Sequence, residues 1–425
     1  MPRLDPILKL VPGILAEANT ATPRFRTLES TMNNHEIYVV SAVRSAIGTF
    51  GGSLKDLPLA DLATQVCRAG IERAGIDPAQ IGHVVMGTVI PTEARDAYLG
   101  RVAAMNAGIP KETPAFNVNR LCGSGLQAIV SAAQSLMLGD AEVALASGAE
   151  SMSRGPYLLP QARWGARMGD LQGIDYMVGV LHDPFEHFHM GITAENVAAK
   201  LGISRQMQDE LALISQRRAA RAIAEGRFAG QIVTVEVPGR KGPQSFSIDE
   251  HVRGDVSIEQ LAGMKTVFKK DGTVTAGNAS GLNDGAGALV LATGEMVRRQ
   301  GLKPLARLVG YAHAGVEPEL MGLGPIPASR KVLEKAGLTI ADLDVIESNE
   351  AFAAQACAVA RELGFDPEKV NPNGSGISLG HPVGATGAII ATKAIHELQR
   401  IQGRYALATM CIGGGQGIAV LFERT

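Results

Sequence analysis

The sequence predicts an α/β protein of two duplicated halves, the first interrupted by an inserted loop domain. Three observations predict it: a repeat at a fixed offset, an alternation of helix and strand inside each repeat, and one place where the offset breaks. "AGIDPAQIGHVVMG" from Ala74 matches "AGLTIADLDVIESN" from Ala336, and 336 − 74 = 262. Gly125 in "GSGLQAI" meets Gly387 in "GATGAII" (387 − 125 = 262), and Leu145 in "EVALASG" meets Leu407 in "RYALATM" (407 − 145 = 262). A single offset held from Ala74 to Leu145 marks a duplicated unit.

Each unit reads as helix, polar turn, β-branched strand ("HVVMG", "DVIES"), glycine-led helix and strand ("VALAS", "ALATM"). Alternation at these lengths implies βαβ units and a mostly parallel sheet. The offset then breaks. "GALVL" at Gly287 resembles "GIAVL" at Gly417, but 417 − 287 = 130, so the first half carries 262 − 130 = 132 extra residues. That insertion differs in kind, with "RWGARMGD", "HDPFEHFHMG" and the helical pattern "TAENVAAKLGISRQMQDELALISQRRAARAI", whose start is expected at Thr193 with Asn196 three residues on. A lid over a site made by the two repeats is the expected role. The predicted organisation is an extra segment 1–33, a first half 34–151 with 283–304, a loop domain 152–282, and a second half 305–425.

Residues 1–31 stand apart. Their apolar runs are broken by prolines, and Pro12 and Gly13 interrupt the apolar stretch a secretory signal needs. Asp5, Glu17 and Glu29 weigh against a transit peptide, and "MNNHEIYVVSAVRSAIGTFGG" at Met32 reads as a natural start. The segment is expected to be poorly ordered and dispensable.

Composition excludes several classes. The 425 residues are 46% hydrophobic, enough for two or three domain-sized units, and the net charge of −2 offers no basic field to nucleic acid. No run of about 18 apolar residues predicts a membrane span. The four cysteines, Cys67, Cys122, Cys357 and Cys411, form no CxxC pair. Neither a zinc site nor a disulfide framework is indicated, and reduced, cytoplasmic thiols are expected.

Four segments combine glycines with reactive side chains: "NRLCGSG" at Asn119, "SNEAFAA" at Ser348, "NGSGISLGHPVGATG" at Asn373 and "TMCIGGGQG" at Thr409. Ligands of open α/β sheets bind at such strand ends. Cys122, at the expected head of a buried helix, would have its thiol pKa lowered by the helix dipole. His381 is held by Pro382, and 381 − 262 = 119 places it opposite Asn119, three residues before Cys122. A His–Cys pair activates a thiol. Cys411 precedes three glycines whose N–H groups suit an oxyanion hole. Taken singly, each of these residues reads more readily as an ordinary core or satisfied side chain than as a reactive one.

Together they carry a resemblance. From about Asn34 to Thr425 the chain resembles the thiolases, in particular biosynthetic acetyl-CoA acetyltransferases and bacterial short-chain β-ketothiolases. The motifs "NRLCGSGLQAI", "HMGITAENVA", "GTVTAGNASGLNDGAGA", "NEAFAAQ", "GHPVGATGA" and "CIGGGQG" stand in the family's order. The resemblance implies the thiolase fold: two mixed-sheet α/β halves in five layers plus the loop domain. It implies a reversible, ping-pong Claisen condensation through an S-acyl cysteine. Cys122 would be the nucleophile, Cys411 the acid and base at the α-carbon, and His381 the support of the Cys122 thiolate and of the thioester oxygen. Asn349 would hold a water in that first oxyanion hole, with the N–H groups of Cys122 and Gly413 forming the second. Coenzyme A contacts would come from Leu181, His189, Met190, Arg253, Phe268, Ala276, Ser280 and Phe352. Around Arg253, "GDVSIEQLAGM" departs from the family pattern. The implied partners are acyl-CoA and CoA as substrates, with no further cofactor or metal, in a homo-oligomer built as a dimer of dimers. A β-ketoacyl synthase relative would want two histidines near the cysteine, where "CIGGGQG" supplies a second cysteine. A degenerate, merely binding relative would have lost reactive residues that this chain keeps.

Overall fold

The computed structural model describes residues 36–165 and 167–425, so the predicted N-terminal segment lies outside the described residues. The β-branched stretches form strands β1 (Ile37–Ser45), β2 (His83–Gly87), β3 (Ala115–Val118), β4 (Val143–Ser151), β5 (Asn283–Thr293), β6 (Ala306–Gly315), β7 (Val345–Ser348), β8 (Tyr405–Ile412) and β9 (Gln416–Arg424). The main helices are α1 (Leu59–Ala74), α2 (Leu99–Asn106), α3 (Ser124–Met137), α4 (Met190–Leu201), α5 (Arg205–Ala224), α6 (Pro325–Ala336), α7 (Ala353–Leu363) and α8 (Thr386–Ile401).

The strands hydrogen-bond in the order β7-β8-β9-β6-β1-β5-β4-β2-β3. Outward from the antiparallel β1–β6 seam, one half runs β1, β5, β4, β2 and the other β6, β9, β8, β7. The sequence offset maps β2 onto β7 (345 − 83 = 262) and β4 onto β8 (405 − 143 = 262), so matching strands take matching places.

The expectation of a mostly parallel sheet needs correction. β2 is parallel to β3 and β4, and β7 to β8, but β5 and β9 run antiparallel to both neighbours. The cause is connectivity. A tight Gly413–Gly415 turn folds β9 back on β8, and a hairpin can only be antiparallel. The insertion likewise returns the chain to the end of β4 where it left, pairing Asp284 with Ser151.

Three apolar clusters build the layers. α1 packs Val66 and Ile71 on Val84, Leu145 and Val290 of the first half-sheet. α6 and α7 pack Val332 and Val359 on Leu407 and Leu421 of the second. Between the half-sheets, α3 and α8 bury Leu126, Ile129, Ile390 and Ile395 among Val39, Leu289, Met410 and Val420, drawn from both halves. The result is helix, sheet, helix pair, sheet, helix, which is five layers.

The central helices touch backbone to backbone where the repeat places its paired glycines. A Cβ on Gly125 would stand 2.5 Å from the Ala388 nitrogen, and one on Gly387 would collide with the Leu126 nitrogen. Gly387→Ala is therefore expected to destabilise the chain by about 1–3 kcal/mol, the usual penalty of overpacking. Denaturant unfolding would show it as a lowered midpoint; an unchanged midpoint would mean the helices separate freely.

The insertion corrects a second expectation. Its single long helix is two. α4 begins at Met190 rather than Thr193, because His189 caps it: His189 Nδ1 accepts from the Gly191 N–H at 3.0 Å. Gly202 ends α4, and Ser204 starts α5 by accepting from the Met207 N–H at 3.2 Å. α4 sets Met190, Ala194 and Val197 against Phe352 and Cys411 of the second half.

Candidate active site

The chain leaves β3 at Val118 and makes a tight turn into α3. Leu121 sits at φ 46°, rare for a residue with a side chain, and stored strain of this kind gathers at functional sites. The turn is tied down locally. The Leu121 N–H donates to Asn119 Oδ1 (2.9 Å), the Arg120 N–H to Ser124 Oγ (2.9 Å), and Ser124 Oγ to the Leu121 carbonyl (2.7 Å).

Cys122 stands just outside α3, whose first helical residue is Ser124. Burial pushes its thiol up to about 11, although the N–H groups of Gly413 and of Cys122 itself both point at the sulfur and pull the other way. This corrects the expectation of a dipole-lowered thiol. A group ahead of the helix, in an apolar cluster with Val89, Met152 and Val383, loses more by desolvation than the peptide dipoles return. The resting side chain is a neutral thiol.

His381 is buried, and burial alone takes its imidazole down to about 4, so it rests neutral. The His381 backbone N–H donates to Asn283 Oδ1 (2.9 Å), and the ring Nδ1 lies 2.6 Å from Thr386 Oγ1, which donates to the Pro382 carbonyl (2.9 Å) or turns to Nδ1. One hydroxyl therefore serves both tautomers. Donating to Pro382, it accepts from Nδ1–H and leaves Nε2 a lone pair. Turned to Nδ1, it leaves Nε2–H a donor. Thr386→Val removes both options and is expected to lower kcat/KM by about 10–100-fold, read from steady-state kinetics beside an unchanged unfolding midpoint.

Asn349, fully buried after β7, holds Nδ2 at 3.5 Å from both imidazole nitrogens, too far for a firm bond, and its Oδ1 has no partner among the described residues. A buried unsatisfied amide oxygen is costly unless a water or ligand reaches it. Cys411 is the next-to-last residue of β8, buried, its thiol pushed up by burial and by the Cys122 sulfur nearby.

Cys122, His381, Cys411 and Gly413 line one cavity of about 560 Å³. Leu181, His189, Met190, Phe268, Ala276, Ser280 and Phe352 line it too. His189 stacks on Phe268 (4.6 Å between centroids), and Phe268 meets Phe352 edge to face (6.2 Å), giving an aromatic wall. Burial, with His182 adding, takes His189 down to about 4. The "TAGNASG" and "NEAF" segments are joined directly, the Ser280 N–H donating to the Ala351 carbonyl at 3.0 Å.

Two predicted residues stay off the lining. Asn349 lies behind His381, and Arg253 is exposed, its backbone N–H on Gln216 Oε1 (2.7 Å). Sequence reasoning missed Val89, Met152, Met177, His251, Met321 and Val383 on the wall. His251 was within reach of the same motif: it lies two residues before Arg253, and its Nδ1 is buried without a partner among the described residues. The apolar residues carry no signal that separates pocket from core.

The thiolase N-terminal domain model matches residues 37–295 and the thiolase C-terminal domain model residues 302–424. The chain is 64% identical over 390 residues to beta-ketothiolase BktB of Cupriavidus necator, covering 92% of this chain and 99% of that protein. It is 50% identical over 391 residues to an acetyl-CoA acetyltransferase of Chromobacterium violaceum, covering 92% and 100%. Among solved structures, human mitochondrial 3-ketoacyl-CoA thiolase superposes at TM-score 0.90 with 45% identity, covering 92% of this chain and 99% of that one. The same enzyme in complex with CoA gives 0.89 and 44%, covering 92% and 98%.

Proposed function

The chain belongs to the thiolase family, and on that premise we propose that it catalyses the reversible Claisen condensation of acyl-CoA with acetyl-CoA. In reverse it thiolyses 3-ketoacyl-CoA with CoA, on short chains such as acetoacetyl-CoA and 3-ketovaleryl-CoA. The observation that carries the reading is the meeting of the Cys122 and Cys411 thiols, the His381 imidazole and the Gly413 N–H on one cavity.

The chemistry follows from resting neutrality. The Cys122 proton passes to His381 Nε2 as the sulfur attacks the thioester carbonyl. The carbonyl oxygen takes the N–H groups of Cys122 and Gly413, which already converge on the sulfur. The bond to the coenzyme A sulfur breaks, and that sulfur leaves with the Cys411 proton. The site now holds an acyl-Cys122, a Cys411 thiolate and an imidazolium, a pair whose charges offset one another in the buried cavity. The thiolate takes the α-proton of acetyl-CoA. The enolate oxygen is held by Nε2–H and by a water on Asn349 Oδ1. The carbanion attacks the acyl carbon, and Cys122 leaves, regaining its proton from His381.

The aromatic wall of His189, Phe268 and Phe352 and the neighbouring Leu181, Met190, Ala276 and Ser280 are proposed to seat the coenzyme A arm, with Arg253 outside the cavity as a solvent-facing contact. The family resemblance supports a dimer of dimers working in the cytoplasm. No helix among the described residues is long and apolar enough to cross a membrane. The test is a thiolysis assay following loss of the acetoacetyl-CoA–Mg²⁺ absorbance. A CoA-dependent loss is expected; no loss at any CoA concentration would sink the reading.

A further inference from the structure

Glu150 lies near the end of β4, fully buried, with no assigned part in the chemistry. Among the described residues its three hydrogen-bond partners are all backbone N–H groups. Oε2 accepts from Val89 (3.0 Å) and from Gly384 (2.8 Å), and Oε1 accepts from Ile90 (3.0 Å). Val89 and Ile90 follow β2 of the first half, whereas Gly384 belongs to the His381 loop of the second. One carboxyl therefore bridges two loops that lie far apart in the chain. Each loop gives the cavity a wall residue, Val89 from one and Val383 from the other, and both join the cluster that holds Cys122.

The fit is close on the far side as well. A Cβ on Gly384 would collide with Glu150 Oε2 and stand 2.9 Å from the Thr88 Cα, so residue 384 has no room for a side chain. Burial pushes the Glu150 acid up to about 8 even with three N–H groups pulling the other way. Holding such a group in a core is costly, and packing alone would favour an apolar side chain there.

We propose that Glu150 is a positioning residue of the acyl pocket: its carboxyl ties the Thr88–Ile90 loop to the Pro382–Gly384 loop and so fixes Val89, Val383 and His381 around the Cys122 sulfur. The assignment of that pocket rests on the thiolase reading. Glutamine has nearly the same shape but one acceptor oxygen. Placed at residue 150, its NH₂ must face at least one of the three N–H donors, so the bridge loses a strut without opening a cavity.

The test uses Glu150→Gln in the full chain. Hydrogen exchange at peptides covering 88–91 and 382–385 should quicken, with the rest of the chain protected as in the parent. Single-turnover acetylation of Cys122 should fall by about 10²-fold, the size of effect expected when reacting groups are displaced by about 1 Å. KM for CoA should stay within about twofold, because the aromatic wall does not touch the bridge. Gly384→Ala presses on the same bridge from its other end and should give the same split, which keeps the test open if the glutamine variant does not fold. Unchanged local exchange in a folded variant overturns the proposal, as does acetylation at the parent rate. A parent that never acetylates would sink the thiolase reading instead, and the exchange result would still decide for or against the bridge.

Discussion

Cys122→Ser is expected to abolish covalent acetylation, by a factor on the order of 10⁶, the scale seen when a single nucleophile is removed from a hydrolase. The hydroxyl is close in size to the thiol and the turn around it is unchanged, so the fold should persist. A serine hydroxyl gives up its proton far less readily than even a thiol pushed up to about 11, and it attacks less well once it has done so. Intact-mass measurement after incubation with acetyl-CoA reads the outcome directly. A serine variant that gains an acetyl group at the parent rate would remove Cys122 from the mechanism.

Cys411→Ala is expected to slow α-proton exchange of acetyl-CoA by about 10²–10⁴-fold, the contribution of a positioned base. Acetylation of Cys122 should slow far less, because coenzyme A is a good leaving group and can depart without a donor. The α-carbon is a very weak acid and has no such alternative. Exchange in D₂O, compared with single-turnover acetylation, separates the two steps. Exchange at the parent rate would move the base elsewhere, with His381 the first candidate. One further effect has a definite sign: burial and the Cys122 sulfur both raise the Cys411 thiol, whereas the groups that pull Cys122 down are the N–H groups of Gly413 and of Cys122 itself, so removing the Cys411 thiol takes no support from Cys122.

Much of this architecture was legible because duplication writes the same pattern twice. Two β-branched strands 262 residues apart, "HVVMG" and "DVIES", take equivalent places in the sheet, and Gly125 and Gly387 mark the one place where two helices must touch. Strand direction was less legible. Periodicity reports which residues are buried but not which way the chain runs, and β5 and β9 read the same in either direction. The reactive residues stood out because glycines flank them. Their ionisation did not, since the state of Cys122 depends on how many apolar neighbours surround it, Val89, Met152 and Val383 among them. Glu150 and Thr386 were invisible for a related reason: their importance lies in partners that are close in space and, for Glu150, far apart in the chain.

The offset also pairs positions inside the site. Gly384 is the counterpart of Cys122 (384 − 122 = 262), Ala149 of Cys411 (411 − 149 = 262), and Asn119 of His381. Duplication offered two equivalent places for a reaction, and only one is furnished. The proposed nucleophile, Cys122, comes from one copy, and the His381 imidazole and the Cys411 thiol from the other. Selection on such a chain acts on the pair as a unit. Neither copy can drift, shorten or be deleted without ending the reaction for both, so the ancestral symmetry survives in the backbone long after it has been erased from the side chains.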